Sequence, residues 1–462
     1  MLATWRKRQA GAHAFLIAIL LFMNANMSAQ PQLQPGTPAQ LITQQLAAIV
    51  SQPQQPLASL SVLVMKDGKL AYQQQFGHRY IDSKNPENNL AADAQTLFRV
   101  ASVSKMVAAI GAMRLVEQGK LDLDADIDNY LGFPLRNPHF PDVVITARML
   151  LSHTSSLRDD GGYNFPVGVS MQSLLQSSGA HYAQGLQWAD PAKARAGENV
   201  APGRYFNYVN LNWGVLGAVM EAVGGKRFDV LMQELVLQPL GTGGAYHPEQ
   251  LRADEIKHLA VLYRKQENDI WNSNGPWVAQ TDNFQGRPPQ KRMLDNYVPG
   301  TNATLFSPQG GLRISVQGLS RIMLMLTNQG ELDGLRFLKP ASIASLLGEQ
   351  WHYDAAAHNG DDYHGLFQAW GLGFQRFSDV SAPHYGDRLV QTGKLQKPSF
   401  TAAGHLGFAY GLQSGFMFNP QTRNGIIYVI GGVGADPEKH QGDYSSLSIW
   451  EEQILTSLYQ LF

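Results

Sequence analysis

The two ends of the chain carry period-two patterns of apolar residues, and the middle does not. Leu60, Val62 and Val64 alternate with their neighbours, Asp67-Gly68 supplies a turn, and Leu70, Tyr72, Gln74 and Phe76 fall on one face of a return strand. A second hairpin is expected from residues 415–418 and 426–430 across Asn419-Pro420. Helical patterns flank both hairpins. Thr37 followed by Pro38 opens a helix that reaches about Val50, and the stretch 52–56 ends it. Leu447, Trp450, Ile454 and Leu458 form the stripe of a closing helix, in which Ser448 and Glu451 are spaced for a capping box. The middle is rich in loops and helix signals, with Gly, Pro and Asn scattered through it. The simplest layout is an α/β fold of the α+β type. One antiparallel sheet flanked by helices is built from residues 38–130 and 300–462, and a mostly helical region, 131–299, covers it.

One helix start carries chemistry. Phe98-Arg99-Val100-Ala101-Ser102-Val103-Ser104-Lys105 contains the only Ser-x-x-Lys of the chain; Met106, Ile110 and Met113 continue an apolar stripe, and Gly119 ends it. Three residues along a helix place Ser102 and Lys105 on one face, within reach of each other. A serine hydroxyl is a weak nucleophile until a base takes its proton. A lysine is such a base only when neutral. With an ordinary pKa of ~10.4, holding it neutral at pH 7 costs about 4.6 kcal/mol. Burial depresses a lysine by up to ~3–5 pKa units, enough to meet that cost. The helix N-terminus also favours an oxyanion forming at Ser102.

Composition narrows the field. A chain of 462 residues exceeds one ordinary core, and 44% hydrophobic with 16% charged residues is a globular balance. The formal net charge of −1 offers no field for nucleic acid or an anionic membrane. The absence of cysteine removes thiol nucleophiles, disulfides, Cys-ligated zinc and a lipoprotein anchor. Arg6, Lys7 and Arg8 followed by an apolar run at 14–23 are expected to form an export signal over residues 1–29, with Ala29 as a plausible cleavage point and a polar linker at 30–37. An uncleaved anchor is the alternative; in either case the working part lies in the periplasm or is secreted. Residues 351–364 cluster His and Asp, yet no metal-ligand spacing appears, and they are expected to be a solvated loop. There is no Gly-x-Ser-x-Gly, phosphate loop or dinucleotide fingerprint, so no cofactor or metal is expected.

Downstream stand Pro202-Gly203-Arg204-Tyr205-Phe206-Asn207-Tyr208-Val209-Asn210 and Gly404-His405-Leu406-Gly407-Phe408. With Ser-x-x-Lys, these resemble the ordered motifs of the serine β-lactamase and penicillin-binding protein superfamily, in its class C-like branch: Ser-x-x-Lys, Tyr-x-Asn, then Lys-Thr-Gly or His-x-Gly. Residues 145–157 and Pro308-Gln309-Gly310-Gly311-Leu312-Arg313-Ile314-Ser315 are similar to further segments of that family. The resemblance implies an acyl hydrolase with Ser102 as nucleophile and Lys105 and Tyr208 handling protons, either one serving as first base. It places Tyr208 six residues after Pro202 and leaves Tyr205 as a packing aromatic. It draws the Tyr208 phenol toward phenolate, makes an oxyanion hole from the backbone N–H groups of Ser102 and Phe408, and lines the substrate with Asn210, His405 and Gly407. His405 replaces the family's fixed lysine charge, and Leu406 replaces a threonine hydroxyl, which weakens recognition of a penicillin-like carboxylate. If His405 meets an anionic substrate, turnover is expected to change between about pH 5.5 and 7.5. The substrate is a small molecule or a fragment of peptidoglycan, with an ester, amide, D-peptide or β-lactam bond. A β-lactamase or D-alanyl-D-alanine carboxypeptidase proper, a non-catalytic wall-binding or regulatory protein, and an acyl transferase remain as rivals. His153 is expected to brace its loop, and Phe206, Trp213 and Tyr410 to pack in or near the site.

Overall fold

The structure is a computed structural model that describes residues 36–462 apart from 293, 392, 394 and 396. The export signal and most of the linker therefore lie outside the described residues. The elements that position the site are helix α1 (Pro38–Val50), strands β1 (Ser59–Lys66), β2 (Lys69–Tyr80) and β3 (Leu90–Ala91), helices α2 (Val103–Glu117), α3 (Leu211–Gly224) and α4 (Val316–Thr327), strands β4 (Trp351–His352), β5 (Ala369–Trp370), β6 (Gln375–Phe377), β7 (Ala402–Ala409), β8 (Leu412–Asn419) and β9 (Asn424–Ile430), and helix α5 (Ile449–Tyr459).

These strands form one nine-stranded sheet in the order β4-β5-β6-β7-β8-β9-β1-β2-β3, antiparallel throughout. The two ends of the chain meet where β1 pairs β9, Leu60 opposite Ile430 and Val64 opposite Ile426. Both faces of the sheet are buried. Leu60, Val62, Val64, Ile426, Tyr428 and Ile430 pack against α1 and α5, while Leu63, Met65, Ile427 and Val429 pack toward α2 and α4. Alternation thus sorts residues between two cores, not between core and water.

One expected face breaks. Leu70 does not share a face with Tyr72, because the pairing steps from Val64–Tyr72 to Met65–Leu70, leaving Ala71 as an extra residue in β2. A bulge reverses the faces beyond it, so Tyr72 is buried and Leu70 is 44% exposed. The terminal helices match their expected ranges, and Ser448 closes its capping box with Glu451.

The stretch 131–299 departs further from expectation. Among its described residues α3 is the long helix; Ala147–Leu151, Met171–Leu175 and Ala253–Lys257 have five residues each, and other helical turns have three. The stretch also contributes strands Leu262–Glu267 and Trp277–Thr281, and the former pairs in parallel with Gly432–Val433. Patterns this short do not stand out from loop sequence. Helix α2 lies at the centre with nearly every side chain buried, which explains why its apolar residues exceed a single stripe.

Candidate functional site

Ser102 is delivered by a strand-to-helix turn. Phe98–Arg99 pairs with Arg313–Ile314, and Val100 N–H donates to the Leu312 carbonyl at 2.9 Å. Ala101 then adopts φ +46°, a left-handed conformation that costs a non-glycine residue about 1–2 kcal/mol. That reversal sets Ser102 at the cap of α2. The segment opposite is fixed in turn, since Leu312 N–H donates to Ser104 Oγ at 3.0 Å.

Lys105, one turn on, has no exposed surface. Its Nζ lies 3.0 Å from Ser102 Oγ, 2.8 Å from Asn210 Oδ1 and 2.8 Å from the Gln309 carbonyl. Burial pulls its pKa down to about 7, against the charge of Asp159, which pulls it up. At neutral pH about half of the amine is therefore unprotonated.

Tyr208 reaches the same place from the loop before α3. Its ring stacks on His153 at 4.5 Å and on Phe367 at 5.1 Å, and Lys105 Nζ sits 4.9 Å from the ring centroid. Its phenol faces the Ser102 hydroxyl, which favours the phenolate form. Burial raises the Tyr208 pKa well above the ordinary tyrosine value, with the Ser102 hydrogen bond offsetting only part. This corrects the expected phenolate: the phenol is neutral at working pH. Tyr205 is a separate matter. Its hydroxyl lies 2.9 Å from a carboxylate oxygen of Asp361 and of Glu198, with one hydrogen to give, which ties it into the loop rather than to Ser102.

Asn210 bridges two charges. Its Oδ1 accepts from Lys105, and its Nδ2 donates to Asp159 at 2.9 Å. Asp159 also accepts from Asn210 N–H at 2.8 Å and Leu211 N–H at 2.9 Å, capping α3. Nothing in the sequence singled out Asp159; its partners lie some fifty positions away, and no local spacing marks it.

The third segment is β7. His405 is 1% exposed, with Nδ1 2.6 Å from the Leu406 carbonyl, Nε2 without a partner, and Trp370 edge-on at 5.4 Å. Burial first, and then the Lys105 charge, depress its pKa to about 3. The expected loss of imidazole charge between pH 5.5 and 7.5 therefore does not occur; His405 is neutral throughout that range. Gly407 permits a close approach: a Cβ there would stand 2.7 Å from the Val100 carbonyl, 3.1 Å from Ser102 N and 2.5 Å from Ser414 Oγ. Phe408 follows with its side chain 56% exposed at the rim. Ser102, Tyr208, Asn210, His405, Gly407 and Phe408 line one cleft of about 700 Å³, a size suited to a small ligand.

Residues 39–448 match the model of the Beta-lactamase family. The chain belongs to that family. Among similar proteins, the esterase EstB of Burkholderia gladioli is 31% identical over 200 residues, covering 40% of this chain and 46% of that one. Protein flp of Staphylococcus aureus (strain N315) is 22% identical over 249 residues, covering 50% and 46%. The chain spans about half the length of these curated relatives. Solved structures extend the likeness across the fold. EstCE1, a hydrolase with promiscuous acyltransferase activity, aligns with a TM-score of 0.60 at 20% identity, over 91% of this chain and 99% of that one. The D-amino acid amidase from Ochrobactrum anthropi SV3 aligns at 0.55 and 16%, over 85% and 92%. These Beta-lactamase-type structures share the mixed architecture of a large antiparallel sheet with helices.

The remaining candidates have structural roles. His153 braces its loop as expected: its Nδ1 accepts from Val209 N–H at 2.9 Å while its ring supports Tyr208. Phe206 and Trp213 are buried in the core, and only Tyr410 of the three aromatics lines the cleft. Residues 351–364 are more than a solvated loop. Asp361 accepts from Tyr205, Asn207 and Arg195, and Tyr363 Oη accepts from Tyr208 N–H at 3.0 Å, so this stretch holds the Tyr208 loop in place. Among the described residues, no three His, Asp or Glu side chains gather as a metal site, and no helix is long and apolar enough to cross a membrane.

Proposed function

We propose that this protein is a serine acyl hydrolase that forms an acyl-Ser102 intermediate from an ester, amide or D-peptide substrate, with Lys105 as the first base. One observation carries the assignment of the base. Of the three contacts of Lys105 Nζ, those to Asn210 Oδ1 and the Gln309 carbonyl are to oxygens that only accept. A neutral amine has two hydrogens and one lone pair. Its hydrogens satisfy the two carbonyls, and the lone pair is left for the Ser102 hydroxyl at 3.0 Å.

The steps follow from that arrangement. Ser102 Oγ bonds to the substrate carbonyl carbon as its proton passes to Lys105. The oxygen that gains the electron pair sits at the head of α2, with the backbone N–H groups of Ser102 and Phe408 as its donors. Tyr208, a neutral phenol, gives its proton to the leaving group as that bond breaks and regains one from the Lys105 ammonium. Water then attacks the acyl carbon, losing a proton to the same relay as Ser102 is released. Asn210 orients Lys105 and the substrate amide, and His405 and Gly407 line the strand beside it. A neutral His405 beside Leu406 supplies neither charge nor hydroxyl to a penicillin-like carboxylate, which favours esterase, amidase or D-peptidase chemistry over an efficient β-lactamase. The basic residues 6–8 and the apolar run at 14–23 support export to the periplasm or beyond.

The test is labelling with a fluorophosphonate, followed by turnover of p-nitrophenyl esters, D-Ala-D-Ala peptides and nitrocefin. Wild type is expected to label and to hydrolyse at least one substrate. Ser102→Ala is expected to lose label and about 10⁴-fold or more in kcat. Equal labelling of both proteins contradicts the proposal, and labelling without turnover of any substrate supports the non-catalytic rival.

A further inference from the structure

The cleft holds two cations for which the acyl-transfer steps above have no use. Arg99 lies on the short strand three residues before Ser102, and Arg264 comes from the strand Leu262–Glu267; both line the cleft that Ser102 lines. Arg99 is largely buried. Its Nε donates to the Gly310 carbonyl at 3.0 Å, and its guanidinium lies 4.9 Å from the Tyr410 ring centroid. Arg264 rests on Trp271 at 5.1 Å, and its buried Nε has no partner. Neither forms an ion pair among the described residues. Asp282, whose charge reaches Arg99, is committed to Arg313 at 2.7 and 3.0 Å. Two acids share the cleft. Glu451 accepts from Ser448 and Tyr428, and Glu438 stands exposed at the rim.

Burial and the nearby Arg313 charge both work against the Arg99 cation. A guanidinium held this way, without a carboxylate, is stabilised by an anion arriving from outside. The turn between β7 and β8 adds a second sign. Tyr410 and Gly411 both have positive φ, +58° and +80°, in a two-residue hairpin turn. Asn or Asp is the usual first residue of such a turn. A tyrosine there accepts backbone strain, and the strain places its ring against Arg99. Further back on β7, His405 has no charge with which to meet an anion.

Resting on the acyl-enzyme reading above, we propose that the substrate carries a carboxylate, and that Arg99, with Tyr410 as its platform and Arg264 lining the same cleft, binds that group while Ser102 attacks the carbonyl. The charge that the family's third motif would supply from the His405 position is supplied here near the far end of the same strand, where Tyr410 follows β7. Two sources of the carboxylate share this chemistry: the acyl part of the substrate or its leaving group.

The experiment compares matched esters and reads a ratio. One arm uses mono-p-nitrophenyl succinate, glutarate and adipate against p-nitrophenyl butyrate, with the carboxylate on the acyl part. The other uses 3-carboxyphenyl butyrate against phenyl butyrate, with it on the leaving group. In one arm or the other, kcat/KM is expected to favour the acid-bearing ester about tenfold or more, the scale of one charged hydrogen bond. Arg99→Gln with Arg264→Gln should bring that ratio to about one, and Arg99→Lys should keep part of it. Both esters of a pair are read on the same active protein, so partial unfolding cancels from the ratio. Tyr410→Asn, which suits the turn better, should lower the ratio without lowering the melting temperature. A wild-type ratio near one in both arms, or a ratio that survives the double substitution, overturns the proposal while leaving acyl-Ser102 chemistry intact. Absence of Ser102-dependent turnover of every ester ends both.

Discussion

Two faces of the same sheet each bury an ionisable side chain, and they treat it in opposite ways. On the face covered by α1 and α5, Glu451 accepts from Ser448 N–H at 2.9 Å, Ser448 Oγ at 3.0 Å and Tyr428 Oη at 2.6 Å, at the first turn of a helix whose dipole favours an anion. Its partners hold the carboxylate at the cap of the helix, in a network that Ser448 Oγ extends to Gln413 at 2.8 Å. On the face covered by α2, Lys105 has two carbonyl acceptors and a third partner, Ser102 Oγ, that can donate as readily as accept. Burial raises the Glu451 pKa and lowers that of Lys105 to about 7. What separates structure from chemistry is therefore the partner: Lys105 meets a hydroxyl that stands at the head of a helix and lines the cleft, whereas Glu451 fastens a helix cap to the sheet.

The comparison breaks most visibly at Lys105. Lys105→Met keeps the volume but removes the base, and is expected to cut kcat/KM for acyl turnover about 10³-fold, within the usual range for a general base. If a substantial fraction of activity survived, the lysine would be a buried group of the Glu451 kind. A smaller but still large effect is expected at Gly407. Gly407→Ala places a methyl group 2.7 Å from the Val100 carbonyl and 3.1 Å from Ser102 N, which pushes β7 off the head of α2. A shift approaching 1 Å costs about 10²-fold in rate. Unaltered kinetics would mean that the strand does not define the site. The other face responds in stability instead. Glu451→Ala leaves the buried Tyr428 hydroxyl and Ser448 N–H without an acceptor and should cost about 2 kcal/mol in urea unfolding, while Ser102 labels normally.

The sequence carried the parts of this contrast that rest on local pattern. The capping box of Ser448 and Glu451, the Asp67-Gly68 turn and the Ser102–Lys105 spacing are local, and each appears where expected. Choosing Tyr208 over Tyr205 rests instead on the resemblance, which sets the tyrosine six residues after the Pro202 position. The misses share a different cause. The extra residue at Ala71 shows only in pairing with β1, so Leu70 was placed on the wrong face. The charge states of His405 and Tyr208 depend on burial by Trp370, Phe367 and His153, which arrive from distant parts of the chain. Asp159 and Tyr363 were missed for the same reason, since each acts on the site through a partner remote in sequence. The stretch 131–299 resisted description because its helices are mostly a single turn or so long.

The central claim is that Lys105 is a base whose pKa burial brings down to about 7, and the rate of Ser102 labelling by a fluorophosphonate between pH 5 and 9 tests it directly. Deprotonation of Lys105 activates Ser102, so the rate should rise with pH, roughly tenfold from pH 6 toward pH 8, with a midpoint near 7. His405→Asn should leave that midpoint in place. Asp159→Asn should move it to lower pH, because the Asp159 charge holds the Lys105 pKa up. A midpoint near the ordinary lysine value of about 10, or one that follows His405 rather than Asp159, contradicts the account.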